Sequence, residues 1–492
     1  MTNKRQYSSL DKYNSLDLRA KKTLEFLDKN PAPFKRLNKY VIQRILALSI
    51  NDFMIKFQKK DLKLKVFSFD SEKRFVISSK AILVKYIVTF IFLWTAIFVA
   101  YLIFLAFPRK KNIGSITLVY GFEHVNYSIK KNHDYIKKYL ADNLKISSFS
   151  GKNVFVVSKL SRASKDIQFF SRLSLYIKLF SCLDNQGIIF AIKEHLNFFN
   201  SFFKSLQHSI LYSLLALEFP IMSLFSALNK FKLLDNAVFS NSNMLKQPLW
   251  CSLEQKEFKT HMFWYSQNSY PLVFHKRNIS HVYPPLHYIE VSFHWIWDNS
   301  FQLFLKKVGV TGSFKKSEPI IFSDIKISKS IIPNKNLKIM IFDVFPSAND
   351  FYSRHGINDS YYNYKIMTKF ILDILNCAKK IKTQKKLFIY LKHKRGSSDV
   401  VDARYIDFIA DLARKNKIKI LPHQYDLKSL IAKANLVITP PYSSPFYIAK
   451  IHHVNACFYD SSSSIIPPMH HIKNDLIRSP ANLLKFMRNS LR

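Results

Sequence analysis

Glycine is nearly missing from this chain, with 8 in 492 residues. The few present form neither a G-x-G-x-x-G nor a G-x-x-x-x-G-K-[ST] segment. That excludes the loops in which glycine backbone cradles a dinucleotide or a triphosphate. Acidic residues are scarce too, 33 Asp and Glu against 75 Lys and Arg, and no D-x-D occurs, so a metal-carried diphosphate is not suggested. The four cysteines, Cys182, Cys251, Cys377 and Cys457, lack any C-x-x-C pair and read as reduced thiols in a cytosolic chain. Neighbouring histidines (His452-His453, His470-His471) cannot both face one ion from regular structure, and no H-E-x-x-H exists. Neither a metal nor a cofactor is expected.

What is present is a formal charge of +42 together with 48 % hydrophobic residues. That hydrophobic share can bury a large core, so the chain is not a disordered polycation. Its length suits two domains better than one. Abundant Lys, Phe, Ile and Asn with little Gly also match the codon bias of an AT-rich genome, so part of the charge reflects drift. Charge and 15 % aromatics would suit RNA as well. Against nucleic acid stand the lack of any RRM, KH or zinc signature and one uncharged run that a soluble RNA binder would not need.

That run is Tyr86–Phe107, 22 residues without a charge. A helix needs roughly 20 to cross a hydrocarbon core. Lys80 and Lys85 precede it and Arg109, Lys110 and Lys111 follow, so the positive-inside rule does not orient it. It begins too far in for a signal peptide. A crossing helix, a helix lying in the cytoplasmic leaflet and a buried helix all remain open. Before it, Leu37–Phe57 shows helical periodicity among basic residues, which suits either an anionic lipid surface or packing against the rest of the protein.

Beyond the run the pattern becomes strands alternating with helices. Ile116–Tyr120 and Val154–Val157 read as strands, with a Phe-rich helical region over 169–228 in which Glu218 and Pro220 rule out a second crossing. From 335 the alternation is cleaner: strands at Leu337–Val344, Leu387–Leu391, Ile418–Leu421, Leu436–Thr439 and Ala456–Tyr459 are separated by helical stretches. Such spacing predicts parallel strands with crossover helices, and two such regions predict two Rossmann-like α/β domains facing a cleft.

Two blocks in the second region could carry chemistry. Lys392-His393-Lys394-Arg395 leaves the carboxyl end of a buried strand, the ligand edge of an open α/β sheet, where clustered cations suit phosphate. Leu436–Lys450 runs from a strand through Pro440-Pro441-Tyr442 into a helix with Ser443 and Ser444 at its start and Pro445 in its first turn. Free N–H groups at such a start bind anions. The alternatives are a solvated basic loop and an ordinary capped helix.

At these blocks the chain resembles the glycosyltransferases of bacterial surface polysaccharide biosynthesis, which have a GT-B-like architecture. Phe342-Asp343-Val344-Phe345-Pro346 with Phe351-Tyr352 resembles their "FDVTP…FY" segment, Phe345 replacing threonine. Leu391–Arg395 resembles "LKPKR", with His393 in place of proline. Asn435–Asp460 resembles "ADLVISxPFTST…IAK…YYD", and Tyr265–Ser269 with His294–Trp297 resembles an earlier pair of blocks. The resemblance covers about residues 112–480.

It implies transfer of a sugar from a nucleotide-activated donor to a saccharide or lipid-linked acceptor, or else a non-catalytic assembly protein that keeps the fold. Without a metal, cations and helix-end N–H groups must stabilise the leaving phosphate. Lys392, Lys394, Arg395, Ser443 and Ser444 are the candidates. A general base would come from the first domain, with Glu123, His124 and His294 as candidates. Tyr265 and Ser266 would contact the acceptor side, and Asp343 would cap a turn or orient neighbours beside the substrate.

The organisation expected is a basic helical, membrane-associated extension (1–80), an anchor (81–111), an acceptor domain (112–330), a donor domain (331–475) and a C-terminal helix (476–492). Nucleotide donors are cytosolic, which puts the catalytic domains on the cytoplasmic side of a bacterial inner membrane. A single crossing would then leave the basic N-terminus outside, which favours a monotopic or re-entrant anchor.

Overall fold

The structure is a computed structural model that describes residues 24, 27–29, 32–47, 66–68, 71–73, 79–107, 114–120, 153–157, 162–163, 167–240, 247–253, 258–264, 273–274, 288–297, 299–307, 309–317, 336–346, 361–393, 401–423, 425, 427–466 and 474–491. Helix α1 (Ala32–Ala47) and a small hairpin, β1 (Val66–Ser68) and β2 (Ser71–Lys73), precede the long apolar helix α2 (Ser79–Ala106). Strands β3 (Ile116–Tyr120), β4 (Asn153–Val157), β5 (Arg162–Ala163), β6 (Ile167–Phe170), β7 (Leu234–Ser240) and β8 (Lys259–Phe263) follow. After a short β9 (Val273–Phe274) come β10 (Phe293–Ile296) and β11 (Ser313–Lys316). All but β1, β2 and β9 join one sheet in the order β11-β10-β8-β7-β3-β4-β6-β5, parallel throughout save β5.

Helices fill the connection between β6 and β7: α3 (Arg172–Phe180), α4 (Asn185–His208), a 3₁₀ turn (Ile210–Leu215) and α5 (Phe219–Lys230). Asp184 caps α4 by accepting from the Gly187 N–H at 2.8 Å. Pro220 sits in the first turn of α5, which is buried along nearly its whole length. The Phe-rich stretch is therefore core, though its first residues, through Phe170, belong to β6. α6 (Asn299–Lys307) lies between β10 and β11.

The second sheet alternates as the sequence pattern predicts. Its strands are β12 (Leu337–Phe342), β13 (Leu387–Lys392), β14 (Lys419–Leu421), β15 (Leu436–Thr439) and β16 (Asn455–Tyr459). Helices α7 (Tyr364–Lys379), α8 (Ala403–Arg414), α9 (Leu427–Ile431) and α10 (Ser444–Ile451) connect them. A short β17 (Ile465–Ile466) pairs antiparallel with β9, and β18 (Leu476–Ile477) completes the sheet before α11 (Pro480–Ser490). The order β14-β13-β12-β15-β16-β18 is all parallel. Counted along the chain it is 3-2-1-4-5-6, the doubly wound order, and the first sheet reverses direction in the same way between β3 and β7. Two parallel sheets flanked by helices make a GT-B-like two-domain architecture.

One expectation is corrected here. The N-terminal helix is no membrane-associated extension, because α1 is built into the first domain. Tyr40, Val41 and Leu37 are buried in the main hydrophobic core. Tyr212 donates to Asn38 Oδ1 at 2.8 Å, and Gln43 donates to the Tyr288 carbonyl at 2.6 Å. Arg44 sends two nitrogens to Glu218 Oε1 (2.8 and 2.6 Å) and one to the Gln247 carbonyl (2.7 Å), while Glu218 Oε2 accepts from the Leu249 N–H. Basic residues on a helix do not imply lipid when a half-buried carboxylate waits for one of them. Arg44→Ala removes the partner of that carboxylate and is expected to destabilise the protein by about 1–2 kcal/mol. Denaturant unfolding checks this, with Glu218→Gln in the same chain recovering part of the loss.

Candidate functional site

In a doubly wound sheet the crevice for a ligand opens where the strand order reverses, at the carboxyl ends of the strands. In the second domain that point lies between β12 and β15. Asp343 is the first residue past β12, His393 the first past β13, and Pro440 the first past β15. Because Phe342 pairs in register with Lys392, Asp343 and His393 leave adjacent strands side by side.

These two form a hydrogen-bonded pair. His393 Nδ1 donates to Asp343 Oδ2 at 2.8 Å, and Tyr405 from α8 donates to the same oxygen at 2.9 Å. Asp343 is buried, and its Oδ1 has no hydrogen-bond partner. Burial, and then the Asp343 charge, push the Tyr405 hydroxyl well above the ordinary phenol range, so it remains a donor. Phe345 stacks on the imidazole with ring centroids 4.3 Å apart. The ring is thereby held in one orientation, with Nδ1 committed to Asp343 and Nε2 turned away from it. Lys392 is largely buried, its Nζ 3.4 Å from the His393 carbonyl.

Across the switch point, the turn from β15 into α10 is pinned and strained. Tyr362 donates to the Pro441 carbonyl at 2.7 Å. Tyr442 is buried with φ of +61°, a left-handed conformation that costs a bulky residue about 1–3 kcal/mol and collects at functional sites. Ser443 occupies the N-cap of α10, buried and without a side-chain bond to the helix N–H groups, and Ser444 opens the helix half-buried. Past β16, Asp460 accepts from Tyr361 (2.7 Å) and from the N–H groups of Ser462 (2.9 Å) and Ile465 (2.8 Å). That carboxylate shapes its loop and is spent on doing so.

The expected site residues fare differently. Lys392, Ser443 and Asp343 come to one sheet edge with Ser444. Lys394, Arg395, Tyr265, Ser266, Glu123 and His124 lie outside the described residues. His294 is placed, and its surroundings make it a packing residue instead of a base. It is fully buried, its Nδ1 accepts from Trp264 Nε1 at 3.0 Å, and its Nε2 donates to the Thr311 carbonyl at 2.8 Å. With both nitrogens taken, it has no lone pair for a substrate proton, and burial lowers its pKa to about 4. Its neighbour His261 repeats the arrangement, accepting from Trp295 Nε1 at 3.1 Å and donating to Asn236 Oδ1 at 3.0 Å. Burial, and then the charges of Lys315 and Lys259, lower its pKa to about 3.

The sequence places His393 in the basic block at the strand end but gives it no role of its own there, and does not point to Tyr405 or Tyr362 at all. The signal for His393 was available in the in-register ends of β12 and β13. The tyrosines reach the site from separate helices and loops, and nothing local marks them. Among the described residues, no three of His, Cys, Asp and Glu gather as metal ligands.

Comparison with known proteins adds a family. No curated protein matches the chain. Solved structures with partial likeness include the wall teichoic acid polymerase TagF, at 11 % identity over 83 % of this chain and 87 % of that one, TM-score 0.41. The UDP-GlcNAc 2-epimerase from Methanocaldococcus jannaschii matches at 10 % identity over 77 % and 93 %, TM-score 0.38. MurG of Acinetobacter baumannii matches at 10 % over 77 % and 91 %, TM-score 0.33. Likeness at this level leaves function to the chain's own residues. A family model, polysaccharide biosynthesis PFTS motif protein, matches residues 196–484, from α4 to α11 and across both sheets. By that match over more than half its length, the chain belongs to the family of polysaccharide biosynthesis PFTS motif proteins.

Proposed function

We propose that this protein transfers a sugar from a nucleotide-activated donor to a saccharide or lipid-linked acceptor in bacterial surface polysaccharide assembly. The observation that carries the reading is the Asp343–His393 pair set beside Lys392 at the strand ends of a doubly wound domain, facing the start of α10. The donor's phosphates would lie in that crevice. Lys392, the first N–H groups of α10 and, with both ring nitrogens protonated, His393 Nε2 would meet their charge, with Lys394 and Arg395 close by in sequence. As the bond from the sugar carbon to the phosphate oxygen breaks, its electron pair leaves with the nucleotide, and those groups stabilise it there. The acceptor hydroxyl forms the new bond and gives up its proton to a base. With His294 committed to packing, Glu123 and His124, which follow β3 in sequence, are the candidates for that base.

The test is a thermal-shift screen of the full chain against nucleotides, nucleotide sugars and a short RNA. A donor at 100 times its Kd stabilises by about 2.7 kcal/mol, a shift of several degrees. We expect one nucleotide family to raise the melting temperature. A rise with RNA alone overturns the reading in favour of nucleic-acid binding, and no rise with any nucleotide favours an assembly protein that keeps the fold.

A further inference from the structure

Helix α2 is long and apolar enough to cross a membrane: Tyr86–Ala106 has a mean hydropathy of 2.5, and 11 % of this stretch is buried. It does not stand away from the protein. Its inner side lies along α4 and α5. Phe90 stacks on Phe202 at 4.0 Å, Trp94 stacks on His195 at 4.8 Å, and Tyr101 bonds Ser223 at 2.9 Å. His195 reaches the Trp94 carbonyl at 2.9 Å. The outer side carries Val88, Phe92, Val99 and Ile103 in a helical stripe exposed between 45 and 69 %. α3, which touches α2 through Phe180, adds the exposed Leu173 and Ile177.

The connectivity decides how this helix can meet a bilayer. Segments before α2 are bonded directly to segments after it: Asn38 to Tyr212, and Arg44 to Glu218. Both ends of α2 are therefore on one side of any membrane, and a single crossing would tear α1 from the core it helps to build. At about 1.5 Å per residue its 28 residues span about 42 Å, more than the roughly 30 Å hydrocarbon core needs.

We propose that α2 lies in the plane of one anionic leaflet, with its inner side on the first domain and the Val88–Ile103 stripe among the acyl chains. This explains why the helix is apolar all round. An interfacial helix on its own needs a polar face toward water, whereas here the protein covers that face. It also explains the basic residues at both ends, Lys80 and Lys85 before and Arg109, Lys110 and Lys111 after, since an in-plane helix has both ends at headgroup level. The net charge of +42 adds long-range attraction to the same surface. In water such an uncovered stripe would be an aggregation liability.

Two measurements on the full chain test this. Added protease should remove tags from both the N- and the C-terminus in inverted membrane vesicles. Removal of only one means that α2 crosses, and the proposal fails. The protein should also sediment with vesicles of phosphatidylglycerol and phosphatidylcholine, and Val88→Asp, Phe92→Asp and Ile103→Asp together should weaken that partitioning by about tenfold or more. Because these side chains face outward, the variant should keep its melting temperature in detergent. Unchanged partitioning overturns the proposal. So does a wild type that ignores vesicles and forms dimers which the variant dissociates, since the stripe would then join two copies of the chain.

Discussion

His393→Ala is expected to weaken donor binding or transfer by about 100-fold or more, leaving the fold intact. With both nitrogens protonated, the ring would donate from Nδ1 to Asp343 and from Nε2 to phosphate, and single groups that stabilise a leaving oxyanion are worth about 100- to 1,000-fold. Its removal leaves little strain behind, because its side chain reaches the surface while its partner Asp343 keeps the Tyr405 bond. Asp343→Asn separates orientation from contact. The amide still fills the space, but it carries no charge to hold the second proton of the ring and can present either end to it. A loss of about tenfold in transfer is expected, with the nucleotide-bound His393 ring-nitrogen resonances changing from the doubly protonated form to a neutral one. Nucleotide affinity equal to wild type in His393→Ala would falsify the assignment. A Tyr405→Phe control should bind donor nearly normally, because that hydroxyl touches only Asp343 among the groups of the site.

Acidification should destabilise the first domain steeply, through His261 and His294. Both are neutral when folded, with pKa values of about 3 and about 4, against the ordinary 6.5 in the unfolded chain. Below 6.5 the unfolded state takes up protons that the folded state refuses. The stability they contribute is complete above that value and falls with pH, by about 1.4 kcal/mol per pH unit for each histidine. Between pH 6.5 and 5 the two together account for about 4 kcal/mol. Thermal unfolding from pH 7.5 to 5 measures the slope, and His294→Gln should roughly halve it, since an amide oxygen can still accept from Trp264 but does not titrate. Parallel pH profiles for variant and wild type would show that the slope comes from other groups.

The second domain is legible along the chain because its strands are buried on both faces. β12 (LKIMIF), β15 (LVIT) and β16 (NACFY) read as mostly apolar runs, and helices α7 and α8 are strongly amphipathic. In the first domain the outer strands are hidden. β8 (KTHMF) and β10 (FHWI) carry histidines in their interior, and hydropathy counts those as polar. Their burial depends on tryptophan N–H groups from the neighbouring strand, a pairing that exists only after the sheet has formed. The same gap left His294 among the candidate bases: a histidine looks available until the residues opposite it are known.

By itself the sequence determined what local pattern can determine. It shows parallel strands from the spacing of apolar runs, a strand edge rich in cations, a serine-bearing helix start, the absence of glycine loops, and one stretch too apolar to be ordinary surface. Tertiary structure alone decided how distant pieces meet. It brought Asp343 and His393 together from positions fifty residues apart, closed both nitrogens of His294, and anchored α1 to the far side of the apolar stretch through Arg44 and Glu218. The physical reason is that periodicity records which residues avoid water, while a hydrogen bond between remote segments depends on distances the chain acquires only on folding. The apolar stretch is the clearest case, since its composition allows a place in lipid, and only the fold shows that the segments before and after it are bonded to each other.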